Sequence, residues 1–505
     1  MNLTRIVAPY FAPRIKAAAV WERDGEAVQR AQLAWLLYRA RHTIVGQRFG
    51  FDRIVSYEQY ASMVPVMPYP EIRQQVMDMV AGRRDVLWPG VTRRFAQSSG
   101  TSDGKSKYIP VTDDSLRLCH YRGGRDVVAH YINLYPDTRI FNGHSFILGG
   151  SFANELNLPA GIKVGDLSAN LIEAINPLVN LVRVPSKKVA LMQDWTEKLP
   201  ALVDASLKAD VTNISGVPSW FLTVLKEVIR RAGASTIHDV WPHLEVFFHG
   251  GISFEPYREQ YRHITDPDRM RYLETYNASE GFFAVQDRRD SRAMLLLQDV
   301  GVFYEFIPVE DADSDHPELL PSWQLEPGRI YAMVITACNG LWRYPIGDTV
   351  KVETVNPLRI TIAGRTKHYI NAFGEELMVH NAEAAMTRTC AELGCAVANY
   401  TAAPVYAGDR SRGRHEWLVE FTTTPASLDE FAARLDVNLQ AENSDYQAKR
   451  AGGLFLDPLT VIVGRQGVFD AWLASTGKLG GQRKVPRLCN DRRFLDPLLR
   501  MNVRE

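Results

Sequence analysis

Short apolar runs bounded by turn residues recur along this chain, at residues 146–148, 244–248, 295–297, 330–336 and 359–363. Runs of that length and setting read as β-strands. Helical periodicity fills several of the gaps between them, as at residues 195–207 and 219–232. Strands alternating with helices restrict the fold to the α/β class. Near the start, Val20, Trp21, Val28, Ala31, Leu33, Leu36, Leu37 and Ile44 repeat at helical spacing with charges between them. Residues 17–48 therefore predict an amphipathic helix packed on a core. Glu22, Asp24 and Glu26 interrupt its basic residues and argue against a helix lying on a membrane surface.

Gly364-Arg365-Thr366-Lys367 follows one strand and precedes a new strand and helix, which makes it the best boundary candidate. Beyond it a helix over 381–393, a strand over 416–422, a helix over 428–442 and a strand near 460–463 read as a small α+β unit. The expected architecture is a large N-terminal domain of mixed β-sheets and helices, residues 1–364, followed by a C-terminal α+β domain, residues 365–505.

Charge narrows the function. Lys plus Arg number 58 and Asp plus Glu number 58, so the formal net charge is zero. A protein that binds nucleic acid by neutralising phosphates carries a basic excess, and this one has none. No stretch approaches the ~20 apolar residues that span a bilayer. The first twenty residues carry Arg5, Pro9, Pro13, Arg14 and Lys16 in place of the apolar core of a signal peptide. The five cysteines form no CxxC and read as reduced thiols. Neither nucleic acid nor membrane is an expected partner, and the expected location is the cytoplasm. Nothing in the sequence sets an oligomeric state.

Three segments carry chemistry. The run from Phe95 to Pro110 holds Ser98, Ser99, Gly100, Thr101, Ser102 and Gly104, small residues that let backbone and hydroxyl donors close on an anion. A surface hairpin has the same composition. A Walker P-loop is excluded, because three residues rather than four separate Gly100 from Gly104 and an extended segment with Pro110 follows. Tyr276-Asn277-Ala278-Ser279-Glu280-Gly281 offers an aromatic ring, a hydroxyl and a carboxylate within a few residues. A turn beside a buried tyrosine reads the same way. In Gly340-Leu341-Trp342-Arg343-Tyr344-Pro345-Ile346-Gly347-Asp348, an Asp after a Gly at a strand end is placed to accept ribose hydroxyls, or is a simple turn residue.

The order of these pieces, with Gly250-Gly251 before Tyr276 and Gly364-Arg365-Thr366-Lys367 after Asp348, resembles the acyl-adenylate-forming superfamily. Within it, the wording around Ser98–Pro110, Tyr276–Gly281, Gly340–Asp348 and Gln482–Arg487 resembles the plant auxin- and jasmonate-conjugating acyl-acid amido synthetases and their bacterial relatives. Two departures stand out. Ala278 replaces the first Ser of a Ser-Ser-Glu, and Asn371-Ala372-Phe373-Gly374-Glu375-Glu376-Leu377 is closer to the bacterial branch.

The resemblance implies an adenylate-forming N-terminal domain, a mobile C-terminal domain, and ATP and Mg²⁺ as cofactors. A small carboxylic acid would be adenylated and then passed to an amine such as an amino acid. It implies that Ser98, Ser99, Gly100, Thr101, Ser102 and Gly104 cradle the β- and γ-phosphates. Tyr276 would stack on adenine beside Gly250 and Gly251, with Ser279 and Glu280 following, and Glu280 would hold Mg²⁺. Asp348 would accept the ribose hydroxyls with Arg365 nearby. Developing charge on phosphorus calls for a cation, with Lys484 first, Lys478 second and Lys367 third.

The acyl pocket is expected from residues 119–130, 146–152 and 282–285, with Arg122 and Arg125 either pairing the substrate carboxylate or facing solvent. His120, His249 and His368 lie near motifs, where packed or surface histidines are commoner than bases. A thiol acceptor such as coenzyme A or a carrier protein, a non-catalytic ligand binder and an ADP-releasing kinase are the rival readings.

Overall fold

The computed structural model describes residues 2–98, 107–152, 154, 156–177, 179–252, 254–312, 314, 316–365, 369–406, 412–453, 455–475 and 485–503. A twelve-stranded sheet forms the large N-terminal domain. One half is parallel: Arg183–Val184, His144–Ile147, Val211–Gly216, Val246–His249 and Arg271–Ala278 lie side by side in that order. The other half is antiparallel and continues through Gly281–Gln286, Met294–Leu296, Leu358–Arg365, Tyr344–Val355, Ile330–Ala337 and Val302–Pro308 to Leu320–Pro321. Strand Arg271–Ala278 is the seam, parallel to one neighbour and antiparallel to the other.

The parallel strands Val211–Gly216 and Val246–His249 are nearly continuous buried runs, as expected where helices cover both faces. Helix Pro218–Ala232 supplies cover with Phe221, Leu222, Leu225 and Val228, opens on Pro218 at its first turn and stops at Gly233 in the left-handed conformation. A second sheet, ordered Lys107–Pro110, Arg94–Ser98, Lys163–Gly165, sits apart. The strand at Lys107–Pro110, where a Walker motif requires a helix, agrees with the exclusion made from spacing.

Downstream of Arg365 the strands leave the large sheet. Tyr369–Ile370 pairs with Leu377–Met378. Ala396–Val405, Arg414–Thr423 and Thr460–Gly464 make a three-stranded sheet flanked by helices Val379–Leu393 and Leu428–Glu442, forming the smaller C-terminal domain. Apolar contact with the large domain is extensive, for Phe221, Trp241 and Tyr257 share one buried cluster with Phe373, Leu377 and Trp417.

The opening helix is longer than the periodicity predicts. It runs Leu3–Ala40 through Pro9 and Pro13, with a kink at Asp24, and a separate helix Ile44–Phe49 follows. Prolines weaken a helix interior, so tertiary contacts must hold this stretch. Arg14 does so by bridging Asp126 and Asp299 from within the protein. The five cysteines carry free thiols. Among the described residues no helix is long and apolar enough to cross a membrane.

Candidate active site

Several of the predicted residues converge at the carboxyl ends of the parallel strands, where open α/β sheets place ligands. Gly250 and Gly251 follow strand Val246–His249, and parallel register sets His249 beside Glu274. Gly250 therefore lies against Thr275: a Cβ added there would fall 2.4 Å from the Thr275 carbonyl oxygen. Gly251 has φ +83°, which favours glycine. Any other residue at 250 would push the two strand ends apart.

Tyr276 stands next on the seam strand, 4% exposed, its ring packed on Phe283. Its hydroxyl donates to Asp348 Oδ2 at 2.7 Å. Asp348 is half-buried near the start of strand Tyr344–Val355, directly opposite Arg365 in the antiparallel register. Ala278 pairs with Gly281, so Ser279 and Glu280 form the two-residue turn of a hairpin. Asn339 Nδ2 donates to the Glu280 carbonyl at 3.0 Å and fixes that turn. The Glu280 side chain is 9% exposed.

Ser98 ends strand Arg94–Ser98, opposite Lys107. Its hydroxyl donates to Glu376 Oε2 at 3.1 Å, so the start of the Ser/Thr/Gly run meets the segment that follows Arg365. Ser99, Gly100, Thr101, Ser102, Gly104, Lys367, Lys478 and Lys484, together with His368, lie outside the described residues.

The segment 371–376 is held by side chains on both sides. From the large domain, Tyr257 donates to the Ala372 carbonyl at 2.5 Å and Ser219 to the Phe373 carbonyl at 3.0 Å. From the smaller domain, Asn490 Oδ1 accepts the Asn371 N–H at 2.6 Å and Asn443 donates to the Glu376 carbonyl at 3.2 Å. Glu375 is wholly buried, accepts the Phe373 N–H and pairs with buried His415 at 2.7 Å.

Arg122 and Arg125 are structural. Arg122 donates to the Asp299 carbonyl at 2.7 Å, and Arg125 bonds the Tyr10 carbonyl and lies over the Tyr10 ring. Both hold the opening helix or the Asp299 turn, and neither is placed as a free cation for a substrate. His120 and His249 are packed residues, pushed down by burial to about 4 and about 3. His249 stacks on Phe254 with centroids 4.4 Å apart. Arg343, inside the Gly340–Asp348 motif, is also structural: it is buried at φ 43°, pairs with Glu305 at 2.9 Å and donates to the Ala61 and Val64 carbonyls.

Sequence reasoning passed over three charged groups around this region. Glu376 is one. Lys449 is another, 2% exposed with its ammonium 3.4 Å from the Trp220 ring centroid and pushed down to about 8 by burial. Lys198 is the third, fully buried, donating to the Gly149 and Gly150 carbonyls after the parallel strand His144–Ile147. No local motif marks them, because their partners are distant in sequence.

The GH3 family N-terminal domain matches residues 15–270, the GH3 family central domain residues 295–365 and the GH3 family C-terminal domain residues 380–493. Indole-3-acetic acid-amido synthetase GH3.3 of Arabidopsis thaliana is 21% identical across 92% of this chain and 89% of its own. Among solved structures, AtGH3.15 acyl acid amido synthetase in complex with 2,4-DB superposes with a TM-score of 0.62 at 17% identity, covering 97% of this chain and 96% of that one. 2-Hydroxyisobutyryl-CoA ligase in complex with 2-HIB-AMP and CoA gives 0.56 at 14% identity, covering 94% and 92%. The structural likenesses establish a shared fold. Matched by three successive domains of one family in their expected order, the chain belongs to the GH3 family.

Proposed function

We propose that this protein is an ATP-dependent acyl-acid amido synthetase. In the first step a carboxylate oxygen of a small acid attacks the α-phosphorus of ATP, and pyrophosphate leaves. In the second an amine nitrogen, such as that of an amino acid, attacks the acyl carbon, and the bond to AMP breaks. The observation that carries the reading is the meeting of Gly250–Gly251, Tyr276, the Ser279–Glu280 turn and Asp348 at one end of the parallel strands.

In this reading residues 1–364 bind ATP and the acid, and residues 365–505 close over them. Tyr276 and the Gly250–Gly251 backbone form the purine wall. Asp348 accepts ribose hydroxyls beside Arg365. Ser98, Ser99, Gly100, Thr101, Ser102 and Gly104 take the β- and γ-phosphates through hydroxyl and amide donors. Lys484 supplies the cation for charge developing on the transferring phosphoryl group, with Lys478 and Lys367 as the alternatives.

Among the described residues no group of three His, Cys, Asp or Glu side chains gathers to hold a metal. That fits Mg²⁺ brought in on the nucleotide, which needs one or two protein carboxylates and takes its other ligands from phosphate and water. Glu280 is the carboxylate assigned here. The ion, when bound, offsets phosphate charge. Five free thiols suit a reducing cytoplasm.

The test is ATP–pyrophosphate exchange with a panel of carboxylic acids and no amine, followed by amino acids or coenzyme A as acceptor. Acid-dependent exchange, then amide and AMP, is the expected result. Release of ADP, or a thioester in place of the amide, would overturn it.

A further inference from the structure

The side chain of Glu376 stands where none of the proposed roles uses it. It is half-buried, comes from the segment after Arg365, and reaches Ser98 at the last described residue before the Ser/Thr/Gly run. Its backbone is in the left-handed region, with φ 41°, which L side chains other than Asn and Asp seldom adopt. Both backbone polar groups are clamped there. The N–H donates to Asn371 Oδ1 at 3.2 Å and the carbonyl accepts from Asn443 Nδ2 at 3.2 Å. A strained conformation fixed from two sides, with a carboxylate delivered to the edge of a site, is how function and backbone strain are commonly associated.

The charge of that carboxylate selects its partner. Beside a polyphosphate it repels, so it contributes nothing favourable to the nucleotide's phosphates directly. Of the organic reactants in the proposed reaction, the acid, ATP and the adenylate are anions. The acceptor amine alone brings a cationic group, its ammonium. It must also lose a proton before its nitrogen has an electron pair to attack with, and a carboxylate within hydrogen-bond reach can take it. Among the described residues, Lys107 stands opposite Ser98 across the strand pair, and Lys449, Asp166, Glu375 and Asp445 are other charged groups close by.

We propose that Glu376 binds the ammonium of the acceptor amine and removes its proton in the acyl-transfer step; this rests on the amido synthetase reading above. One ammonium proton passes to the Glu376 carboxylate. The freed nitrogen pair forms the bond to the acyl carbon. The carbon–oxygen bond to AMP breaks, with its electron pair on the phosphate oxygen, and the second amine proton is lost to water. Glu376 then returns its proton to solvent.

The experiment compares two nucleophiles on one pre-formed acyl-adenylate, in the full-length enzyme at pH 7. An amino acid arrives protonated, whereas hydroxylamine arrives neutral and needs no base for its first step. Glu376→Gln should slow transfer to the amino acid at least about tenfold more than transfer to hydroxylamine. Glu376→Gly removes the same carboxylate and relaxes the backbone at φ 41°, so it guards against a folding defect and should give the same selectivity. Equal losses with both nucleophiles, or no loss, would overturn the proposal. A loss confined to ATP–pyrophosphate exchange and relieved by excess Mg²⁺ would make Glu376 a metal ligand instead, and would also overturn it. If the unaltered enzyme adenylates acids yet forms no amide, the parent reading fails, and the proposal with it.

Discussion

Tyr276 Oη donates a hydrogen bond of 2.7 Å to Asp348 Oδ2, although three strands lie between theirs in the sheet. Laid flat, strands four positions apart would be separated by roughly 19 Å at about 4.8 Å per step. A tyrosine side chain cannot bridge that. The antiparallel half must therefore curl back toward the seam strand, and the curl makes the enclosure in which the two residues face one place.

Asp348→Ala should weaken ATP binding by about tenfold to a hundredfold, the ~1.5–3 kcal/mol of a charge-assisted hydrogen bond. Tyr276→Phe keeps the ring and the Asp348 carboxylate and loses only the hydroxyl that orients it, so its effect on ATP affinity should be smaller, several-fold. Calorimetric titration with ATP measures both. Equal affinity in Asp348→Ala and the unaltered protein would remove Asp348 from the nucleotide site.

Glu280→Gln should abolish most ATP–pyrophosphate exchange; the bond from Asn339 to the Glu280 carbonyl, which fixes the turn, is kept in that variant. Lys484→Ala should slow the same exchange and spare transfer from a supplied adenylate. If exchange in Lys484→Ala matches the unaltered enzyme, Lys478 takes the role.

Glu305→Ala should destabilise the protein by about 3–5 kcal/mol in urea unfolding, since it leaves a buried guanidinium without its counter-charge. The Arg343 and Glu305 side chains are only 7% and 1% exposed. A loss under about 1 kcal/mol would mean that the carbonyls of Ala61 and Val64 suffice to hold Arg343.

Acid should loosen the fold through its buried imidazoles. Burial pushes His120, His130 and His249 down from 6.5 to about 4, 4 and 3. Below pH 6.5 the unfolded chain takes up protons that the folded chain refuses, so this stability is present above that pH and falls as pH drops toward 4. His249→Phe should flatten the decline by up to about 1.4 kcal/mol per pH unit. The ring stacks on Phe254 and its Nδ1 makes no hydrogen bond, so phenylalanine suits the place. Parallel stability curves for the two proteins between pH 4 and 6.5 would show that His249 does not titrate on unfolding.

Elements governed by local periodicity are readable without coordinates. The helix Leu428–Glu442 has the predicted limits, and strand Ile330–Ala337 differs from its predicted span by one residue. Strand Ala396–Val405 was not readable as one, because Pro404 and a run of alanines give it neither strong alternation nor β-branched density. The reach of the opening helix back to Leu3 depends on Arg14 meeting acidic residues more than a hundred positions away. The candidate site divides in the same way. Tyr276, Glu280 and Asp348 sit in compact runs with a residue order that can be recognised. Glu376 sits in a run that is plain until Ser98 is brought to it.

The segment 371–376 has one more consequence. Its backbone groups are gripped by individual side chains, among them Tyr257 and Ser219 on one flank and Asn490 and Asn443 on the other, where a strand would be stitched by a ladder. A ladder lets go all at once; grips of this kind are released singly. The proposed closure of residues 365–505 would then let the chain exchange partners here while both sheets keep every rung, at the expense of a handful of hydroxyl and amide contacts. Trimming Tyr257 or Ser219 by one oxygen is then a way to retime the enzyme without touching its chemistry.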